Sequence, residues 1–151
     1  MADDHPPSPS LPRVLVDDRQ DLAVDREGLA ALAHEVLVAE GVAESELSLS
    51  FVSSGEIADL HERYLGEAGP TDVLSFPLDE ADRDEDGVRL LGDVVVAPSV
   101  AASANPNDPA AELRLLVVHG ILHLLGHDHD DPEERSAMWQ RQERYTGVRV
   151  P

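Results

Sequence analysis

Four of the seven histidines lie within eleven residues, in the run VVHGILHLLGHDHDD that covers residues 117–131. His119 and His123 are four residues apart in a segment whose apolar spacing is helical. This spacing places both imidazole rings on one helix face, about one turn apart. Two neutral imidazoles in that arrangement can bind one tetrahedral metal ion. The spacing therefore predicts a metal site on this helix.

A third ligand is expected just beyond the end of the same helix. Gly126 can adopt the left-handed conformation that ends a helix and turns the chain back. The spacing His-x3-His-x5-His matches the metzincin-like frame, so we predict His129 as the third ligand, with His127 as the alternative. Three protein ligands leave one coordination position open, which is typical of catalytic zinc. Asp128 is a candidate acceptor for a ring N–H of a ligand.

The residue after the first histidine sets this site apart from zinc proteases. The protease motif H-E-x-x-H has a glutamate there as general base, whereas this chain has Gly120. A glycine inside a helix costs about 1 kcal/mol relative to alanine, so a compensating reason is expected. Two reasons are open: space for a bulky substrate beside the metal, or close packing of the helix on a sheet.

The composition excludes several classes of site. The chain has 151 residues, with 11 Lys+Arg, 31 Asp+Glu, a net charge of −20 and no cysteine. Disulfides, thiolate metal sites and cysteine nucleophiles are thereby excluded. Such a charge repels nucleic acid, so any RNA binding needs a local site. The chain has one basic-rich stretch, which comprises Arg135, Arg141, Arg144 and Arg149.

The elements that must position the histidines can be read from periodicity and capping residues. We predict a flexible tail at residues 1–10 and one domain at 11–151. Strands are predicted at residues 11–18, 47–51, 71–78 and 90–97. Helices are predicted at residues 25–40, 53–65, 108–125 and 131–145. This order favours an α+β fold in which helices pack on a mixed four-stranded sheet, with the metal site at the end of a helix.

Three segments between or within these elements carry further expectations. The acidic run 79–86 is predicted to be a solvated hairpin loop, and residues 98–108 a loop that can include a helical turn. Met138 and Trp139, on the last helix, are expected in the core. The amino-terminal run MADDHPPSPS has no apolar segment and no run is long enough to cross a bilayer, so we expect a cytoplasmic protein.

Three sequence blocks resemble one known family. HGILHLLGHDH, residues 119–129, resembles the signature of the YbeY family of metal-dependent endoribonucleases, which mature ribosomal RNA. GPTDVLSFP, residues 69–77, is similar to the family's P-T-D/N-V-L-S-F-P strand. LGDVVVAP, residues 91–98, is similar to its L-G-D-[IV] strand. The order and spacing of the blocks agree over nearly all of residues 11–151.

The resemblance implies a small α+β fold and one zinc ion per chain held by His119, His123 and His129. It also implies cleavage of single-stranded RNA in ribosomal RNA maturation, including the 16S 3′ end, and in ribosome quality control. The implied partners are ribosomal RNA and the ribosome or ribosome-associated proteins, with no membrane and no DNA. The expected catalytic group is a water molecule on the metal, supported by Asp128.

One position departs from the family pattern. Many members carry an arginine directly after the aromatic residue that precedes the P-T-D/N block. In this chain Leu65 follows Tyr64, and Arg63 is nearby but on another helix face. The arginine to which the family pattern assigns RNA contact or catalysis is therefore absent at the matching position.

Two alternative functions remain open at this point. One is a zinc hydrolase of a small ester or amide, and the other is a non-enzymatic ribosome-assembly factor with a structural zinc. A structural ion contributes folding energy, so removing a ligand would unfold the domain, whereas a catalytic site would leave it folded and inactive. Three imidazoles favour zinc, although nickel or iron also fit them.

Overall fold

The computed structural model of the protein describes residues 11–65, 71–79, 81–127 and 131–147. The predicted tail at residues 1–10 lies outside these ranges. The strands within them are β1 (Arg13–Asp18), β2 (Ser45–Phe51), β3 (Val73–Pro77) and β4 (Arg89–Val96). The helices are α1 (Arg26–Ala39), α2 (Ser54–Leu65), α3 (Pro98–Ala104), α4 (Pro109–Leu124) and α5 (Pro132–Thr146).

The four strands form one mixed sheet in the order β1-β2-β4-β3. Strands β1, β2 and β4 are parallel, and β3 pairs antiparallel with β4 at the edge. At Gly92 the backbone has φ +125°, and a Cβ there would lie 2.2 Å from the carbonyl oxygen of Phe76. Only glycine fits this close approach of β4 to β3. The predicted α+β class with a mixed four-stranded sheet is confirmed.

The larger core lies between the sheet and helices α1 and α4. Leu47, Leu49 and Phe51 of β2 point into it and are fully buried, while the serines between them are partly exposed. A smaller cluster, which includes Ile57 of α2 and Val95 of β4, is separate from the first. Since successive strand residues point to opposite faces, the two clusters cover opposite faces of the sheet.

Two expectations about individual segments are wrong. Residues 98–104 form helix α3, although they were expected to be a loop. Pro98 occupies its first turn and the buried residues are Pro98 and Ala101, so its small residues give no apolar periodicity to read. Trp139 is 39% exposed beneath the guanidinium of Arg135, whereas Met138 is fully buried as expected.

The predicted hairpin between β3 and β4 is confirmed by their antiparallel pairing. Its loop is anchored at Asp84, which accepts hydrogen bonds from Arg13 Nη2 at 2.7 Å and from the Val88 amide at 2.9 Å. The amide of Val88 and the Arg13 guanidinium together hold the pKa of the Asp84 carboxyl below its usual value, against a smaller effect of burial. No helix within the described ranges is long and apolar enough to cross a membrane.

We expect Asp84→Asn to destabilise the protein at neutral pH but not in acid. The depressed pKa of Asp84 adds stability that is complete above the unfolded-state value of about 3.9 and is lost as pH falls through the folded value. Urea unfolding between pH 7 and pH 3 should show the difference from wild type shrinking as pH falls. The exposed Asp86→Asn is the matched control in the same loop, and an equal effect at all pH values would contradict the assignment.

Candidate metal centre

Helix α4 carries the predicted ligand pair and is buried on most of its surface. Asp108 caps its amino terminus by accepting from the Ala111 amide at 3.0 Å, and Pro109 occupies the first turn. The helix packs on α1, α3, α5, β3 and β4. A helix that is apolar on most sides is typical of such a central position.

Gly120 lies where α4 meets the sheet. A Cβ on this residue would be 2.6 Å from Val94 Cγ1 and 3.1 Å from Val73 Cγ2. The Ser75 hydroxyl donates to the Gly120 carbonyl at 2.8 Å, which ties the edge strand β3 to the helix. Of the two reasons considered for this glycine, close packing on the sheet is the one that the structure shows.

His119 is held by a residue of α5. Its Nδ1 lies 2.6 Å from Oε1 of Gln142, whose side chain is buried with 2% of the residue exposed. An amide oxygen only accepts hydrogen bonds, so Nδ1 of His119 carries the proton. The lone pair of the neutral ring is then on Nε2, which is the atom suited to bind a metal.

His123 is held by the turn that ends α4. Gly126 has φ +99°, and the amides of Gly126 and His127 bond back to the carbonyls of His123 and Leu122, both at 3.0 Å. This is the helix end predicted from the glycine. Nδ1 of His123 lies 3.2 Å from the carbonyl oxygen of His127. A carbonyl only accepts, so Nδ1 again carries the proton and Nε2 the lone pair.

The two rings lie side by side at the mouth of one cavity. Their centroids are 6.3 Å apart and their planes differ by 8°. The cavity has a volume of about 280 Å³, and its lining residues are His61, Thr71, Val73, Leu74, Ser75, His119 and His123. Two neutral imidazoles with Nε2 lone pairs are a donor set that fits zinc. His61 comes from α2, far from the histidine run in the sequence, and no local spacing marked it as a site residue.

The predicted third ligand cannot be placed from the structure. His129 and Asp128 lie outside the described residues, so their roles stay predictions. In the described ranges, no three His, Cys, Asp or Glu side chains are grouped to hold a metal ion. The alternative ligand, His127, has its Nε2 at 2.8 Å from Oε1 of Glu40, the residue that ends α1. In this arrangement Nε2 of His127 bonds a carboxylate at the end of α1.

Glu40 is the acceptor of a buried hydrogen-bond cluster beside this turn. Its side chain is 5% exposed, and its Oε2 accepts from Arg141 Nη1 at 2.7 Å and from the Tyr145 hydroxyl at 2.5 Å. Burial alone would raise the pKa of the Glu40 carboxyl, but the bonds from Tyr145 and His127 and the charge of Arg141 outweigh burial and lower it. Glu40 is therefore an ionised, fully bonded carboxylate.

The fold and the sequence were compared with those of known proteins. A family model described as "Endoribonuclease YbeY" matches residues 15–147. The chain belongs to the YbeY family. The predicted family is thus confirmed, and its histidine block includes the pair that lines the cavity.

Individual relatives agree with this membership. An endoribonuclease YbeY of Frankia casuarinae is 49% identical over 130 residues, which cover 79% of this chain and 65% of that protein. One of Beutenbergia cavernae is 44% identical over 137 residues, 85% of this chain and 91% of that protein. The solution structure of TM1509 from Thermotoga maritima has a TM-score of 0.58 and 28% identity, covering 88% of this chain and 86% of that one.

We expect Gly120→Ala to destabilise this YbeY chain by about 1–3 kcal/mol, because the new methyl group overlaps Val94. Alanine is otherwise the better helix residue by about 1 kcal/mol, so a gain in stability would show that the helix is not pressed against the sheet. Urea unfolding measures the change. Val94→Ala in the same chain should recover part of the loss, which a double-mutant cycle would detect.

We expect Gln142→Leu to lower zinc affinity about 10–100-fold, because the proton on Nδ1 of His119 loses its acceptor. Competition with a chromophoric chelator measures the affinity. The matched control is Gln140→Leu on the exposed side of α5. If the zinc affinity of Gln142→Leu is unchanged, either His119 is not a metal ligand or its ring does not need the hydrogen bond to Gln142.

Proposed function

We propose that the protein is a metal-dependent endoribonuclease that cleaves single-stranded RNA during ribosomal RNA maturation. The observation that carries this proposal is the parallel His119–His123 pair at the mouth of a cavity, with each Nδ1 proton directed to an oxygen acceptor. It occurs in a chain of the YbeY family, whose relatives bear the name endoribonuclease. RNA is the substrate class that this name implies.

We assign one zinc ion per chain to His119, His123 and His129. The donor chemistry of the first two supports the assignment, because neutral imidazole nitrogen is a preferred zinc ligand. Bound there, zinc would supply Lewis acidity toward a phosphoryl oxygen and lower the pKa of a water molecule toward about 7. Asp128 is proposed to support a ligand ring.

The chain's own residues prepare this chemistry. Gln142 and the His127 carbonyl keep the protons of the two rings on Nδ1, so that both Nε2 atoms are ready as ligands before binding. Gly120 offers no carboxylate at the position where zinc proteases have their general base. The zinc-protease mechanism therefore lacks its general base at this position.

His61 is proposed as the side chain that contacts the RNA opposite the ligand pair. It lines the cavity with His119 and His123. It precedes Leu65 by four residues on α2, which places both positions on one helix face. Leu65 stands where many family members carry an arginine, so an imidazole one turn earlier can supply a hydrogen-bond donor that the leucine lacks.

Charge limits how RNA can bind elsewhere on the protein. The net charge is −20, and Arg141 of the basic-rich stretch is bonded to Glu40 while Arg135 lies over Trp139. We therefore propose that the ribosome or a ribosome-associated protein presents the RNA in the cytoplasm. Few phosphate contacts predict an affinity for isolated RNA that changes little with salt.

The test of the proposed function is cleavage of a ribosomal RNA fragment with a single-stranded 3′ segment, with and without chelator. His123→Ala should lose about 100-fold or more of the activity, because the pair cannot bind metal with one ring. The control is His34→Ala on α1, which lies outside the cavity. Cleavage that survives both chelator and His123→Ala would refute the metal mechanism.

Thermal melting of the same variants separates catalysis from a structural role. A folded but inactive His123→Ala is expected of a catalytic site. If this variant and the chelated protein both unfold, the zinc is structural and an assembly factor becomes the better interpretation.

We expect His61→Ala to lower kcat/KM for RNA about 10–100-fold without changing zinc affinity, because its ring is proposed to contact the substrate. His61→Gln retains an N–H donor and should recover part of the loss. Steady-state kinetics and chelator competition measure the two effects. A drop in zinc affinity in His61→Ala would instead make His61 a ligand.

A further inference from the structure

One buried carboxylate gathers three segments that are far apart in the sequence. Glu40 accepts hydrogen bonds from His127, Arg141 and Tyr145, which are 87, 101 and 105 residues away. Its side chain is 5% exposed. A buried charge of this kind is weak evidence for stability, because apolar replacements often stabilise a protein equally well. Stability alone therefore does not account for a buried carboxylate at this position.

The three donors lie next to the groups that hold the ligand rings. The ring of His127 donates a hydrogen bond to Glu40, and the backbone carbonyl of His127 accepts one from Nδ1 of His123. On α5, Arg141 and Tyr145 lie one residue before and three residues after Gln142, the acceptor for His119. The two acceptors that hold the imidazole rings therefore belong to, or lie close in the chain to, residues that donate hydrogen bonds to Glu40.

We propose that Glu40 is a positioning residue of the metal centre, which sets the His127 carbonyl and the Gln142 amide and thereby the orientation of both imidazoles. The proposal rests on the proposed function in one respect, which is that the site supported by Glu40 is a metal centre. Helix α1 contributes no residue to the lining of the cavity, so Glu40 acts entirely through other groups.

The effect of losing the carboxylate follows from these contacts. In Glu40→Gln one oxygen becomes an NH2 group. If this group replaces Oε2, the bond from Arg141 is lost, and if it replaces Oε1, the His127 ring must move its proton to Nδ1 to accept the new bond. The turn at residues 126–127 and α5 are then held less firmly. Nδ1 of His123, whose bond of 3.2 Å is the longer of the two, should be the first to lose its acceptor.

The first measurement is histidine tautomer by long-range ¹H–¹⁵N NMR on the metal-free protein. Wild type should show His119 and His123 protonated at Nδ1. Glu40→Gln should show mixed tautomers at His123, and Tyr145→Phe a smaller change. The control is Glu35→Gln on the exposed side of α1, which should match wild type. A fixed Nδ1–H tautomer in both Glu40→Gln and Tyr145→Phe would overturn the proposal.

The second measurement is affinity for Co²⁺ or Zn²⁺ by chelator competition. We expect Glu40→Gln to bind 10–100-fold more weakly. The variant Glu40→Leu/Arg141→Leu/Tyr145→Phe replaces the cluster with apolar groups and should recover folding stability while metal affinity stays low. Affinity that recovers together with stability would make Glu40 purely structural and overturn the proposal.

These readouts separate the proposal from the proposed function. Neither requires RNA cleavage, and the tautomer measurement requires no metal. If wild type binds no metal, the proposed function fails while the NMR comparison still decides the role of Glu40. If wild type cleaves RNA and Glu40→Gln keeps both tautomer and affinity, only the role of Glu40 fails.

Discussion

The contact of α4 with the sheet at Gly120 is the constraint on which the cavity depends. This residue lies between the two histidines in the sequence, and a methyl group there would overlap Val94 of β4. Because the Ser75 hydroxyl of β3 also donates to the Gly120 carbonyl, the edge strand and the helix are joined beside the cavity. His119 and His123 are therefore carried by a helix that is closely packed on the sheet.

Each ligand ring is anchored by a different part of the chain. Gln142 of α5 holds His119, and the carbonyl in the turn after α4 holds His123. Oriented rings reduce the ordering cost of binding a metal, which is the physical meaning of a preformed site. The buried carboxylate of Glu40 accepts hydrogen bonds from His127, Arg141 and Tyr145, which are close in the chain to these two acceptors. Its negative charge is therefore matched by its own donors.

The overall charge of the protein does not attract RNA to the candidate site. A net charge of −20 repels RNA, and Arg141 of the basic-rich stretch is bonded to the buried carboxylate of Glu40. In the proposed function, RNA recognition therefore depends on local shape, on few polar contacts such as the one proposed for His61 in the cavity, and on a partner that presents the RNA.

The sequence alone was enough to predict the pair His119 and His123 on one helix, the helix end at Gly126, the four strands, four of the helices and the family. These features depend on local spacing, capping and glycine conformation, which act within a few residues. The sequence missed α3 and misplaced Trp139, because small residues give no periodicity and an aromatic ring can cover a surface. The packing of the fold was needed to show that Gln142 bonds His119, that His61 lines the same cavity, that Glu40 bonds His127, and that Gly120 is a packing residue. Such contacts join positions 23 to 105 residues apart, and their partners follow from how helices and strands pack, which local pattern does not encode.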